Sequence, residues 1–150
     1  VTEAMFERSI AVHVRGTLFA TQAAVPGMKK RRYGKIVNMS SIQGTVGNPN
    51  GATYNAAKGA LLSMAKGWAK EFGPFNIMVN CVAPGPTITP MVTTRLAPEY
   101  FTERAKQIPL GRWGTAEDIS YAISFLSGPE SDFITGQVIS PNGGEVIVGI

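Results

Sequence analysis

The 150-residue sequence is poor in the residues that build disulfides and metal centres. It contains one cysteine, Cys81, and one histidine, His13. An internal disulfide is therefore impossible, and a zinc finger or a multi-histidine metal centre is excluded. We predict no metal site and, from the cysteine usage, a reducing cytoplasmic compartment. Charged residues are also scarce, at 16% against roughly 25% in an ordinary soluble domain, which favours burial of part of the surface against a partner.

Long apolar runs and a broad basic face are missing too. No run approaches the roughly 20 residues of a membrane span, and residues 1–4 lack the charged and apolar regions of a signal peptide. The net charge of +4 comes from five basic residues within positions 29–35, because the rest of the chain holds nine basic and ten acidic residues. We interpret this cluster as a solvated turn rather than a phosphate-binding patch, and we expect neither nucleic acid nor a membrane as a partner.

Helical and strand patterns alternate along the chain. The predicted helices cover residues 3–27, 53–72, 98–107 and 115–127, and the predicted strands cover 35–40, 76–83 and 137–140. Pro26-Gly27 is expected to end the first helix, and 41–52 to form a loop. This alternation predicts an α/β fold with a parallel sheet of three strands and about four or five helices. Because so small a sheet would leave apolar surface bare, we expect a larger sheet to be involved.

Tyr54 and Lys58 are the first candidates for catalysis. Their i, i+4 spacing places both on one face of the predicted helix 53–72. A neighbouring ammonium favours the ionised form of a phenol, so Tyr54 is a candidate general acid/base near neutral pH. Ser41 follows a predicted strand, and ligand sites of open α/β sheets cluster at such strand ends. Its hydroxyl is suited to hydrogen-bond a substrate carbonyl on which negative charge develops.

Further motifs keep a fixed order around this pair. They are Ser40-Ser41, Tyr54-x-x-x-Lys58, Asn80-x-x-x-Pro84-Gly85, Ile134-Thr135-Gly136-Gln137 and Asn142-Gly143-Gly144. Through all 150 residues, their combination resembles the short-chain dehydrogenase/reductase family. The resemblance implies a Rossmann-like, doubly wound parallel sheet and an NAD(P)-dependent oxidoreductase, with NAD or NADP as cofactor. Such an enzyme moves a hydride between nicotinamide and a carbonyl or secondary alcohol.

The resemblance also implies roles for single residues. Ser41 matches the catalytic serine, Tyr54 the proton donor and acceptor, and Lys58 the lysine that also bonds the nicotinamide ribose. The loop that covers the nicotinamide matches Pro84, Gly85 and Thr89, with Thr87 beside them. The expected substrate contacts are Ser41, Gln43 and Pro86, whereas Asn142-Gly143-Gly144 matches a structural turn.

Two departures from the family pattern bear on function. His13 stands where the family has an asparagine that holds a proton-relay water, and it is either a substitute relay or a packed, non-catalytic residue. The glycine-rich TGxxxGxG turn is absent, and the chain opens on Val1 rather than methionine. We therefore expect residues 1–150 to be the C-terminal catalytic part of one domain that lacks its dinucleotide-binding N-terminal half. A catalytically incomplete oligomerisation or interaction module is the alternative.

Substrate and assembly stay open at this point. The closest resemblance is to 3-oxoacyl-(acyl carrier protein) reductases, for which the basic turn near Arg32 could meet an acidic carrier. Phe75, where the family commonly has arginine, weakens that idea, and Gln43 would suit a sugar or polyol. The two long helices commonly form the subunit interface in this family, so the resemblance implies a homotetramer or homodimer.

Overall fold

The computed structural model describes residues 1–147 as a parallel sheet with helices on both of its faces. The helices are α1 (Glu3–Ile10), α2 (Gly16–Arg31), α3 (Gln43–Val46), α4 (Ala52–Phe72), α5 (Pro90–Thr93), α6 (Pro98–Ala105) and α7 (Ala116–Ser127). The strands are β1 (Gly34–Met39), β2 (Ile77–Val82) and β3 (Val138–Ile139). Short 3-10 turns occupy Gly73–Phe75 and Pro129–Ser131. The predicted three-stranded α/β architecture is confirmed.

The three strands lie in the order β1-β2-β3, and both pairs are parallel. Every residue of β2 is buried, as expected for a central strand covered on both faces. Ile77, Val79 and Cys81 belong to the core beneath α2 and α4, whereas Val82 packs with Ile119 of α7 on the opposite side. This alternation follows the two-residue period of a strand.

The first helix is longer than its sequence predicts. α1 begins at the N-cap Thr2, continues through a π-helical turn at Ala11–Arg15 and merges with α2. The predicted end at Pro26-Gly27 is wrong, because α2 continues to Arg31 and ends only where Arg32 takes a left-handed φ of 56°. Val25 is buried in the core and Met28 packs against it, so tertiary packing outweighs the tendency of proline to interrupt the helix.

Two short helices lie in segments that the sequence predicts as irregular. α3 occupies part of the predicted loop 41–52, and α5 lies in the segment 84–114 ahead of the predicted helix at 98–107. Both have only four residues, too few for a periodic apolar pattern to be recognised. Within residues 1–147, no helix is both long and apolar enough to cross a bilayer.

Candidate active site

The carboxyl ends of β1 and β2 form the floor of the candidate site. Their pairing continues beyond the strands, since the Ser40 amide donates to the Val82 carbonyl at 2.8 Å and the Ile42 amide donates to the Pro84 carbonyl at 3.1 Å. The Gly85 amide likewise donates to the Pro141 carbonyl at 3.0 Å, beyond the end of β3. These backbone bonds fix the segment that carries Ser41 beside the segment that begins at Pro84.

Ser41 is held with its hydroxyl oriented by the backbone. The side chain is buried, with 9% of the residue exposed, and its Oγ accepts a hydrogen bond from the Gln43 amide at 3.1 Å. A hydroxyl that accepts from the backbone keeps its own proton for another acceptor. Ser41 is therefore able to donate a hydrogen bond to a carbonyl oxygen in the cleft.

Lys58 and Tyr54 face the same strand end from α4. The Lys58 Nζ donates to the Met39 carbonyl at 2.8 Å and lies 5.6 Å from the centroid of the Tyr54 ring. Burial lowers the pKa of Lys58, because the charged ammonium is partly removed from water. Tyr54 stays 37% exposed, so its phenol is accessible from the cleft. The predicted pair is thus brought together beside Ser41's segment.

Close backbone contact joins α3 and α4 behind this pair. The Ser40 hydroxyl donates to the Lys58 carbonyl at 2.8 Å. A Cβ at Gly44 would lie 2.7 Å from the Lys58 carbonyl carbon, closer than such atoms can approach. Glycine at position 44 therefore allows α3 and α4 to touch at Lys58.

His13 contacts the same tyrosine from the π-helical turn. The His13 and Tyr54 rings meet edge to face, with centroids 5.8 Å apart and an interplanar angle of 86°. Partial burial and the nearby charge of Lys58 both lower the pKa of His13, which favours the neutral imidazole. The structure therefore brings His13 to the candidate catalytic centre, where π-helical turns are often found.

A cleft of about 910 Å³ opens above the strand ends. It is lined by eight of the predicted site residues: Ser41, Gln43, Tyr54, Pro84, Gly85, Pro86, Thr87 and Thr89. The other two, Lys58 and His13, lie against Tyr54 instead of lining the cleft. All the predicted residues are thus gathered around one centre.

The opposite side of the cleft was not predicted. It is lined by Met91, Val92, Leu96, Tyr100, Arg104, Trp113 and Glu145. Most of these residues belong to the long segment predicted to hold only one helix. Their apolar stretches are too short to indicate which side chains face the cleft. That placement depends on the path of the chain, which brings these residues to the same cleft as Tyr54.

Two of the recognised motifs have structural roles. Asn80 is almost fully buried, and its amide donates to the Ile134 carbonyl at 2.8 Å while its side-chain oxygen accepts from the Gln137 amide at 3.0 Å. Asn142 donates to the Val146 carbonyl at 2.8 Å and accepts from the Gly144 amide at 2.8 Å. These asparagines hold the β3 region and the following turn in place beside the cleft.

The cleft floor fits the nicotinamide end of a dinucleotide. The Thr89 hydroxyl is enclosed and has no hydrogen-bond partner among residues 1–147, so it can bond a polar group of a ligand. Thr87, in contrast, donates to the Gly85 carbonyl at 3.0 Å. A Cβ at Gly85 would lie 2.7 Å from Asn142, which explains the glycine at this tight crossing. Residues 1–147 hold no cluster of acidic, histidine and cysteine side chains suited to a metal ion.

The basic turn lies away from this site. The prediction of a solvated turn is wrong, because Lys29, Lys30 and Arg31 form the last turn of α2, Arg32 caps it, and Lys35 is an enclosed residue of β1. The cluster lies at the start of β1, whereas Ser41 follows β1, and a strand of six residues spans roughly 20 Å. Lys29 Nζ lies 4.5 Å from the centroid of Phe75, and Asn76 Nδ2 donates to the Arg32 carbonyl at 3.1 Å. The turn therefore packs at the opposite end of the sheet from Tyr54.

Comparison with known proteins places these features in a family. A family model described as enoyl-(acyl carrier protein) reductase matches residues 1–145. The chain is 48% identical over 139 residues to the 3-oxoacyl-(acyl-carrier-protein) reductase FabG of Thermotoga maritima, covering 92% of this chain and 56% of that protein. It is 42% identical over 142 residues to the inactive 2-(S)-hydroxypropyl-CoM dehydrogenase 2 of Xanthobacter autotrophicus, covering 91% and 62%.

A solved structure agrees with these sequence matches. The crystal structure of 3-oxoacyl-(acyl-carrier protein) reductase from Brucella melitensis superposes with a TM-score of 0.92 at 36% identity. That match covers 98% of this chain and 55% of the other chain. The chain therefore spans little more than half the length of the relatives that it matches.

Proposed function

The chain belongs to the short-chain dehydrogenase/reductase family, and from this premise we propose that it is the C-terminal catalytic part of an NAD(P)-dependent oxidoreductase. The observation that carries the proposal is the convergence of Ser41, Tyr54 and Lys58 at one strand end, beside a cleft that Thr89 also lines. The reaction interconverts a carbonyl and a secondary alcohol.

When bound, the nicotinamide cofactor donates or accepts the hydride at the reacting carbon. The residues that would hold this cofactor are Lys58, Tyr54, Pro84, Gly85, Thr87 and Thr89. Tyr54 transfers a proton to or from the substrate oxygen, and Ser41 donates a hydrogen bond to that oxygen. The Lys58 ammonium, anchored on the Met39 carbonyl, stabilises the phenolate that remains when Tyr54 gives up its proton.

For His13 we favour a positioning role over a proton relay. Its ring packs edge to face on the Tyr54 ring, and its lowered pKa keeps it neutral beside the Lys58 ammonium. Edge-to-face aromatic pairs contribute about 0.5–1.5 kcal/mol beyond their buried area, which is enough to restrict the phenol ring. In this role His13 keeps the Tyr54 hydroxyl directed at the substrate.

Within the carbonyl class, we favour 3-oxoacyl thioesters on an acyl carrier. The names of the matched relatives and the apolar side chains of Met91, Val92 and Leu96 along the cleft support this substrate. The basic turn gives no support, because it lies at the other end of the sheet from Tyr54. Sugars or polyols are the competing substrate class, because the polar side chain of Gln43 also lines the cleft.

We further propose a cytoplasmic homodimer or homotetramer. Met5, Val12 and Phe19 are exposed along the continuous helix that α1 and α2 form, and a second copy would cover them. Light scattering of the whole protein tests this assembly. A monomer at micromolar concentration would contradict it.

The alternative function is a non-catalytic interaction module. The observation that favours it is the similarity to a dehydrogenase named as inactive, at 42% identity. A nicotinamide cofactor titration of the whole protein separates the two functions. Saturable binding together with carbonyl turnover supports the enzyme, and binding without any turnover supports the module.

Tyr54→Phe is the decisive variant for catalysis. In the whole protein, we expect kcat for 3-oxoacyl thioester reduction to fall by roughly 10²–10⁴, because the variant keeps the ring and loses the transferable proton. Tyr121→Phe is the matched control, since Tyr121 is exposed on α7. Turnover of Tyr54→Phe within a few-fold of the control would refute the proposed catalytic role.

A further inference from the structure

Residues 88–113 leave the sheet region as one excursion, which we call the outer segment. Its two ends are joined at the base, because the Gly114 amide donates to the Pro86 carbonyl and the Ile88 amide donates to the Gly114 carbonyl, both at 2.9 Å. The outer segment carries α5 and α6 and contributes Met91, Val92, Leu96, Tyr100, Arg104 and Trp113 to the lining of the cleft that Tyr54 also lines. None of the residues in α5 or α6 is buried. Apolar packing in the outer segment is instead concentrated at Ile108, which is 2% exposed, and in the contacts of Tyr100 and Phe101 with Trp113. It leaves the Arg104 end of α6 to be held by polar contacts.

A mostly enclosed ion pair connects α6 to the turn after β3. Arg104, in the last turn of α6, pairs through Nη2 with Oε1 of Glu145, and both residues line the cleft. Their side chains are only 23% and 16% exposed. The second carboxylate oxygen of Glu145 is enclosed without a partner among residues 1–147. Within that range, Arg104 is therefore the residue that compensates the Glu145 charge.

Glu145 is presented by a turn with little freedom. Gly143 and Gly144 adopt positive φ values of 67° and 87°, and the Glu145 amide donates to the Asn142 carbonyl at 3.2 Å. A Cβ at Gly143 would lie 2.6 Å from Ile108 Cγ2, so the turn packs directly on the outer segment. The Leu110 amide also donates to the Gly143 carbonyl at 3.1 Å. The carboxylate thus serves as a fixed point to which α6 is attached.

We propose that Arg104 and Glu145 are positioning residues that hold α6 against the 142–145 turn and thereby set the width of the substrate end of the cleft. This inference rests on the proposed function. Neither residue needs to touch the reacting atoms. Removing one partner leaves the other charge enclosed and uncompensated, which is costly in a site shielded from water. The protein then relieves that cost by letting α6 move outward into solvent.

The test compares two substrates that differ only in chain length. Ethyl acetoacetate presents the reacting carbonyl with a methyl group, whereas ethyl 3-oxodecanoate adds a long apolar chain that reaches α6. In Glu145→Gln and Arg104→Ala of the whole protein, we expect KM for the long ester to rise on the order of tenfold at nearly unchanged kcat. KM for the short ester should change less than about threefold on the same reasoning. Lys106→Ala is the control, because Lys106 pairs with Glu103 on the exposed side of α6.

Amide hydrogen exchange provides a readout independent of turnover. We expect faster exchange in residues 98–105 of both variants and unchanged exchange in β2. The double variant Arg104→Ala/Glu145→Gln should lose less than the sum of the losses in Arg104→Ala and Glu145→Gln, as two groups that act as a pair do. Glu145→Gln keeps the shape of the side chain and thus serves if Arg104→Ala fails to fold.

Two results would overturn the inference. Equal losses for the two esters would mean that the pair does not shape the distal cleft, and unchanged exchange in residues 98–105 would mean that it does not hold α6. Failure of the proposed function would be recognised by a different result: the Tyr54→Phe variant would still turn over both esters. The exchange experiment would still decide the role of the pair in that case.

Discussion

The two sides of the cleft are built differently. The inner side, which carries Ser41, Tyr54 and Lys58, is held by parallel strand pairing and by side chains that bond backbone carbonyls, as Lys58 does to Met39. The outer side carries α5 and α6 and is held by side-chain contacts such as Arg104 with Glu145 and the Trp113 indole with the Phe101 carbonyl. The outer side also has isolated backbone bonds, such as that from the Leu110 amide to the Gly143 carbonyl, but a continuous backbone ladder resists displacement better than such single contacts.

The inner and outer sides of the cleft also differ in how many of their residues are buried. β2 is buried at every position, and seven residues of α4 are buried, whereas α5 and α6 have none. Proton transfer needs groups placed within a fraction of an ångström, and packed elements provide that precision. Recognition of substrates of different size tolerates a softer surface. Under the proposed function, the inner side would carry the chemistry and the outer side the choice of substrate.

After Tyr54→Phe, loss of the Ser41 hydroxyl should produce the largest effect on the inner side. We expect Ser41→Ala in the whole protein to lower kcat by roughly 10²–10³, the usual cost of removing one donor to a developing oxyanion. The unfolding free energy should fall by only about 1 kcal/mol, because alanine fits the same space but no longer accepts the hydrogen bond from the Gln43 amide. Steady-state kinetics with a 3-oxoacyl thioester measures the effect. A loss that appeared only in KM would mean that Ser41 binds substrate without stabilising the transition state.

Matched leucine truncations test the difference in burial. Leu61 on α4 is 2% exposed, and we expect Leu61→Ala to lower the unfolding free energy by about 2–5 kcal/mol. Leu96 lies in the outer segment and is only half-buried, so Leu96→Ala should cost about 1 kcal/mol or less. Urea denaturation of both variants gives the comparison. Equal losses would show that the outer side is as firmly packed as the inner side.

A methyl group at Gly44 should disturb the junction behind Lys58. The added Cβ would meet the Lys58 backbone at 2.7 Å, so Gly44→Ala is expected to cost about 1–3 kcal/mol of stability and to lower kcat as well. Gly67→Ala on α4 is the control, because no atom lies within 4 Å of its added Cβ. We expect that control to be neutral or slightly stabilising. Equal stability and equal kcat in Gly44→Ala and Gly67→Ala would contradict the proposed role of the contact between Gly44 and Lys58.

His13 gives the smallest effect and separates its two possible roles. If its ring positions Tyr54, His13→Phe keeps kcat within about threefold, and His13→Asn lowers kcat by roughly two- to tenfold, the equivalent of one aromatic contact. A proton relay predicts the reverse order, since asparagine retains polar hydrogen bonding and phenylalanine does not. The two kcat values from steady-state assays therefore decide between the roles.

The pKa of His13 adds a stability test to the same pair of variants. Its pKa in the folded state is lowered from the model-compound value of 6.5, so the unfolded chain binds the proton more readily. The contribution of the neutral His13 to the free energy of unfolding is fully present above pH 6.5, and it is lost as the pH falls below 6.5 through the lower pKa of the folded state. His13→Phe should show a weaker loss of stability between pH 7 and pH 5. An unchanged slope in urea titrations would contradict this.

Much of the inner side could be predicted from the sequence, because its signals are local. The spacing of Tyr54 and Lys58 guarantees a shared helical face, and the apolar run before Pro84 marks a covered strand. The end of α2 was missed, since Pro26 favours a break that the packing of Val25 and Met28 overrides. α3 and α5 were not predicted, because a helix of four residues is too short to show a periodic pattern of apolar residues.

The sequence by itself determined the α/β alternation, the motif order and the set of candidate catalytic residues, because helix and strand geometry relates neighbours three, four or two positions apart. Only the tertiary structure decided that His13 lies against Tyr54, that the basic turn lies away from the site, and that Arg104 reaches Glu145 across 41 residues. Such contacts depend on the path of the chain between distant elements, and no local spacing encodes that path.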